Sequence, residues 1–163
     1  MEDVNGLLNS LSGYEPEIVK DVDFEPIKGA YEARVDSISR KTGTSERGNE
    51  FDFYSFNVQI VKTVEGDRGE NRFLRKNYNM IQDEYSTPAD NMKRLFNDLF
   101  TCGIAYDKSS EEALAQSLAS AKDKLVNVRT WVKSDKNDPD KKYQQVKFVK
   151  EIKLKAKSGT APF

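Results

Sequence analysis

From Glu50 to Val64 the chain keeps a two-residue period: Tyr54, Phe56, Val58 and Ile60 fall on one side, and Phe51, Phe53, Ser55, Asn57 and Gln59 on the other. Successive side chains of a strand point to opposite faces, so this run commits the chain to a sheet with an interior and an exterior parity. Two further runs bracket it. Gly29 to Ser39 sets Tyr31, Ala33 and Val35 on one face. Asn71 to Met80 sets Leu74, Tyr78 and Met80 opposite Phe73, Arg75, Asn77 and Asn79, with cations, amides and aromatics interleaved and no acid among them. Lys76 falls on the apolar parity of that run. A bulge there flips the parity beyond it and turns Tyr78 outward.

Between the first two runs, Arg40 to Asn49 is polar and contains glycine, which predicts a loop; Glu65 to Gly69 predicts a turn before the third run. The period then becomes helical. Thr87 before Pro88 predicts an N-cap and a first helical residue; Met92, Leu95, Phe96 and Leu99 recur at three- and four-residue steps, and Cys102-Gly103 ends the run. Ser109 with Glu112 reads as a capping box opening a second helix with Leu114, Leu118 and Ala121. Leu125 to Lys133 and Tyr143 to Leu154 close the chain as strands around a charged loop. Three strands, a helical insert and two strands is the order of the OB-fold. The expected architecture is therefore mainly β (α+β): a five-stranded Greek-key barrel over residues 29–154, preceded by an arm (1–28) and followed by a tail (155–163).

The 163 residues are enough for one domain with a core of its own. No segment has the length and apolarity of a membrane span, and the N-terminus lacks the pattern of a secretory signal. A lone cysteine, Cys102, suits a reducing cytoplasm, and its place in an apolar helical pattern reads as a core thiol rather than a nucleophile. The absence of histidine removes the commonest general base and zinc ligand together. These features predict no catalytic residue, no metal and no cofactor. The net charge of −1 conceals an uneven distribution: −6 over residues 1–27, +2 over 28–80, −4 over 81–121 and +7 over 122–163.

Cations thus gather where strands are expected, and barrel parity puts many outside. The fourth strand buries Val126, Val128 and Val132 and exposes Asn127, Arg129, Trp131 and Lys133; the fifth buries Val146, Phe148 and Ile152 and exposes Tyr143, Gln145 and Lys147. With Phe51, Phe53, Phe73, Arg75 and Asn77, and with Arg40 and Lys41 in the first loop, this is a surface of flat apolar platforms among cations. Single-stranded nucleic acid asks for that combination, since bases stack and phosphates need counter-charge. The same aromatics also suit packing beneath Leu7, Leu8 and Leu11 of the arm, or a contact between copies of the chain.

The run from Asp23 through Phe24, Glu25, Pro26, Ile27, Lys28, Gly29, Ala30, Tyr31 and Glu32 to Ala33 is similar to the start of a family of small OB-fold proteins from the replication and recombination modules of tailed bacteriophages. Asn77-Tyr78-Asn79-Met80 resembles that family's third-strand signature, and the helix ending Leu99-Phe100-Thr101-Cys102-Gly103-Ile104 its central helix. The likeness covers about residues 23–152. It implies a phage protein of the host cytoplasm that coats single-stranded DNA in replication, recombination or repair, alongside phage or host replication proteins. The final Ala161-Pro162-Phe163 is similar to the partner-docking tip of bacterial single-stranded DNA-binding proteins, but Lys153, Lys155 and Lys157 stand where those carry acids. A frayed terminus is the other reading. The acidic arm is a further candidate, as a competitor with DNA for the basic face.

Two other functions fit parts of the sequence. One is an OB-fold adaptor binding a replication protein through the same aromatics. The other is a metal-dependent nuclease, for which Asp135, Asp138 and Asp140 are the nearest carboxylate cluster, in a lysine-laced turn that reads more readily as solvated loop.

Overall fold

A computed structural model describes residues 26–152 of the chain. The predicted tail, most of the predicted arm with Leu7, Leu8 and Leu11, and the terminal Pro162-Phe163 lie outside the described residues. The elements run β1 (Gly29–Thr44), β2 (Glu50–Gly66), β3 (Phe73–Asn79), α1 (Pro88–Thr101), α2 (Glu111–Ala119), β4 (Leu125–Ser134) and β5 (Lys142–Val149). All five strands join one antiparallel sheet in the order β3-β2-β1-β4-β5.

The two-residue period decides which side chains are buried. Tyr54, Phe56, Val58 and Ile60 of β2 are enclosed, as are Tyr31, Ala33 and Val35 of β1, Leu74 and Tyr78 of β3, Val126 and Val128 of β4 and Phe148 of β5. Each large apolar side chain so enclosed contributes about 1.5–3 kcal/mol. Leu95 and Leu99 of α1 and Leu114 and Leu118 of α2 cover this face. Thr87 caps α1, accepting from the Asp90 N–H at 3.1 Å, and Gly103, at φ 69°, stands just beyond its C-cap.

The strand boundaries depart from the sequence pattern in three places. β1 continues through Arg40–Thr44, predicted as loop, because those residues pair in register with Glu50–Tyr54 of β2; the connection shrinks to Ser45–Asn49. β5 stops at Val149 rather than reaching Leu154. The N-cap of α2 is Ser110, not Ser109: its hydroxyl accepts from the Ala113 N–H, while the Ser109 N–H is donated to Asp107.

The bulge at Lys76 that would turn Tyr78 outward is absent. β3 pairs with β2 without a register shift from Phe73 to Asn79, so Tyr78 remains inside. Bulges occur instead in the β1–β2 hairpin, where Asp36, Val61 and Val64 have no opposite residue. Each adds local twist and bend. The sheet curls until its edge strands, β3 and β5, come into contact with no ladder joining them. Phe56 and Phe148 meet inside the curl with ring centres 4.2 Å apart.

Candidate nucleic-acid interface

β3 is one of the two edge strands, hydrogen-bonded to β2 on one side and facing β5 across the unladdered seam on the other. Its outward residues Phe73, Arg75, Asn77 and Asn79 are all exposed, Phe73 to 62%. Arg75 Nε donates to Asn57 Oδ1 of β2 at 2.9 Å. That partner is neutral, so it orients the guanidinium without cancelling its charge.

On the β2 side, Phe53 pairs with Asn79 of β3 and with Lys41 of β1, and Phe51 pairs with Gly43. The Phe51 and Phe53 rings stand 5.9 Å apart and inclined by 43°. A Cβ at Gly43 would sit 2.6 Å from the Phe51 ring, so the missing side chain is what lets that ring lie across β1. This cluster offers two aromatic surfaces beside one ammonium group.

On the β5 side, Arg129 of β4 pairs directly with Lys147, Trp131 with Gln145, and Lys133 with Tyr143. Trp131 is 42% exposed and Tyr143 48%. The Tyr143 hydroxyl donates to Asp135 at 3.0 Å, which fixes the ring against the β4–β5 loop and raises the phenol's pKa.

The predicted residues therefore form two groups rather than one continuous patch. Phe51, Phe53 and Lys41 sit toward the hairpin tip; Arg129, Trp131, Lys133, Tyr143 and Lys147 sit where β4 meets β5. Lys41 and Ala30, the β1 partners of Phe53 and Arg129, are eleven positions apart along β1. Phe73, Arg75 and Asn77 are the outward residues of the strand between the groups.

Arg40 does not belong to either. It follows Ile38 on the interior parity, opposite Tyr54, and its guanidinium binds Asp52 and, at 2.7 Å, Glu111 at the start of α2. Those two bonds raise its pKa further, and Asp52 is held below the usual carboxylate range chiefly by the same contact. Arg40 locks the hairpin to α2. It lines an apolar cleft of about 440 Å³ with Met80, Met92, Phe96 and Leu114.

Beneath β3, Lys76 lies 2.7 Å from Asp98 of α1, and the Tyr78 hydroxyl donates to the same carboxylate. Burial, followed by Asp98, pushes the Tyr78 phenol well above its usual range. The Cys102 thiol is pushed up to about 12, mainly by burial, which suits a packing role. The carboxylates of the β4–β5 loop shape the turn: Asp135 accepts from the Asn137 N–H and Asp138 from the Asp140 N–H. Among the described residues no three Cys, Asp or Glu side chains converge as a metal site, and no helix is long and apolar enough to cross a membrane.

Lys28 and Glu65 were not legible as site residues. Both line a cavity of about 440 Å³ with Arg129, Trp131 and Lys147. The bulges at Val61 and Val64 cancel in parity, so Glu65 keeps the outward side that alternation from Ile60 gives it; what they change is the register, which sets it opposite Ala30.

Residues 17–162 match the model of a family described as a protein of unknown function, DUF669, and the chain belongs to that family. No curated protein matches it in sequence.

Proposed function

We propose that this DUF669 protein binds single-stranded DNA without catalysing a reaction, its β3 strand forming the floor of the interface. The observation that carries the reading is the flanking of β3. An outward row of Phe73, Arg75 and Asn77 has the Phe51–Phe53–Lys41 cluster on one side and Arg129, Trp131 and Lys147 on the other. Each stacked base contributes about 1–3 kcal/mol, and lysine and arginine add a salt-dependent term by releasing counterions. No helix is presented as a major-groove reader among the described residues, which favours a single strand over a duplex.

The strand order and the helical insert between β3 and β4 are those of an OB-fold, and we read the curled sheet as such a barrel with its β3–β5 seam unladdered. The resemblance to phage replication and recombination proteins gives the reading its setting: a coat on exposed strands in the host cytoplasm during replication, recombination or repair. A role as an adaptor for a phage or host replication protein is the second reading, favoured by Phe100 of α1, which is 83% exposed.

The test is a pair of substitutions on the two sides of β3. Trp131→Ala and Phe53→Ala should each weaken oligonucleotide binding by about 1–3 kcal/mol with the circular dichroism spectrum unchanged. If both folded variants bind as the parent does, the stacking account is wrong.

A further inference from the structure

The described part of the chain begins beside the cations of β4 and β5, and what precedes it in sequence is acidic. Ile27 is pinned at that place. Its N–H donates to Gln144 Oε1 at 2.7 Å, and its carbonyl accepts from Gln144 Nε2 at 2.9 Å and from the Thr130 hydroxyl at 2.8 Å. The same Gln144 amide donates to the Trp131 carbonyl at 3.1 Å. One residue on, Lys28 lines the cavity that also holds Arg129, Trp131 and Lys147. The whole of the −6 carried by residues 1–27 lies before this point, since Pro26 and Ile27 are uncharged.

The cavity is short of counter-charge. Neither Lys28 nor Lys147 forms an ion pair with another described residue. Its two carboxylates are placed otherwise: Asp67 Oδ2 accepts from the Lys28 N–H at 2.9 Å, and Oε2 of Glu65 is closed off from solvent. The acids nearest in sequence are Asp21, Asp23 and Glu25, at alternate positions, with Glu17 beyond them. Alternate residues of an extended chain share one side, about 6.7 Å apart, so these three carboxylates would form a single edge. At about 3.5 Å of reach per residue, all three can meet the cavity from the anchor at Ile27. The hairpin-tip cluster is eleven positions away along β1, roughly 35 Å of strand.

We infer that residues 17–25 of the same chain dock on this face, their carboxylates against Lys28 and Lys147, and that a single strand must displace them to reach Trp131. The contact itself is independent of the single-stranded DNA reading; its consequence, competition with the strand, rests on that reading. Carboxylate and phosphate ask for the same counter-charge, so one set of cations serves both. Tethering favours the arm. A short linker gives an effective concentration in the millimolar range, which keeps the segment seated through pairs that are individually weak. The strand prevails through contacts that the arm lacks, bases stacked on Trp131 and on the aromatics beyond it.

The contact is tested on the full chain by carbodiimide coupling, which joins a carboxylate to an amine touching it with loss of water. Without DNA and at low salt, residues 17–25 should be joined to Lys147 and not to Lys41 at the hairpin tip. An excess of an oligo-dT of about twelve nucleotides should suppress the link. In an equal mixture of isotope-labelled and unlabelled protein the links should stay within one label; mixed links assign the face to the arm of a second copy and overturn the inference. The variant Glu17→Gln, Asp21→Asn, Asp23→Asn, Glu25→Gln should bind the oligo-dT about tenfold tighter at low salt, an advantage that fades as salt is raised. Without DNA, acrylamide should quench Trp131 more strongly in that variant than in the parent. No link to Lys147, or an equal one to Lys41, overturns the docking. Tighter binding with unchanged acrylamide quenching also overturns it, since repulsion at a distance then suffices. Equal affinity of variant and parent overturns the competition. No binding of the strand by either protein overturns the single-stranded DNA reading and the competition with it, and the Lys147 link then decides the contact alone.

Discussion

The ammonium group of Lys76 on β3 stands 5.9 Å from the ring centre of Phe148 on β5, so the edge strands of the sheet touch through side chains where no ladder joins them. The same ammonium lies 5.6 Å from the Tyr78 ring centre and is paired with Asp98 of α1. Lysine at this inward position, out of place by its hydrophobicity, thus ties both edges of the sheet to the helix that covers them.

Asp98→Ala should therefore destabilise the fold well beyond the loss of a surface ion pair. It leaves a largely enclosed ammonium and a buried phenol without their shared acceptor, at a cost of roughly 2–4 kcal/mol, discounted slightly for the partial exposure of Lys76. Urea denaturation measures it. A change below about 1 kcal/mol would mean that the seam is held by apolar contact alone.

Arg40 and Lys41, neighbours in sequence, should separate cleanly by experiment. Arg40→Met breaks the tie between hairpin and α2 and should lower the melting temperature while leaving oligonucleotide affinity nearly unchanged. Lys41→Met should leave stability unchanged, weaken binding modestly and reduce the slope of log affinity against log salt by about one. The reverse pattern would place the wrong cation on the interface.

Acid should weaken the same tie. Asp52 is held below its ordinary carboxylate range by Arg40, so the unfolded chain takes up its proton more readily than the folded one. The stability this adds is fully present above the unfolded value, near pH 4, and is lost as the pH falls through the lower folded value. Urea midpoints taken from pH 6 to pH 3 should fall less steeply for Asp52→Asn than for the parent. Parallel curves would show that Asp52 takes no part in the acid limb.

Much of this was legible in the sequence, for a reason each residue makes plain. The alternation of Tyr54, Phe56, Val58 and Ile60 needs no tertiary information, and neither does the cap at Thr87. Because β3 pairs without a shift, Phe73, Arg75 and Asn77 point outward as their spacing predicts. What was hidden depends on events between strands. The bulge at Asp36 moves the interior parity of β1 from Val35 to Ile38 and carries Arg40 inward with it. Those at Val61 and Val64 cancel in parity but shift the register, setting Glu65 opposite Ala30, and nothing in the local residue types marks them. Lys76 looked like the site of a break because its partner, Asp98, lies on a helix whose position only the fold provides.

The most direct test of the interface uses the protein's one tryptophan. Trp131 is partly exposed beside Lys28, Arg129 and Lys147, so a base stacking on it should quench its fluorescence. Titration of the intact protein with a mixed-sequence single strand at low salt should give saturable quenching that weakens steeply as salt is raised, with a duplex of the same sequence giving far less. A single strand that leaves the emission unchanged, or a duplex that quenches equally, would contradict the account.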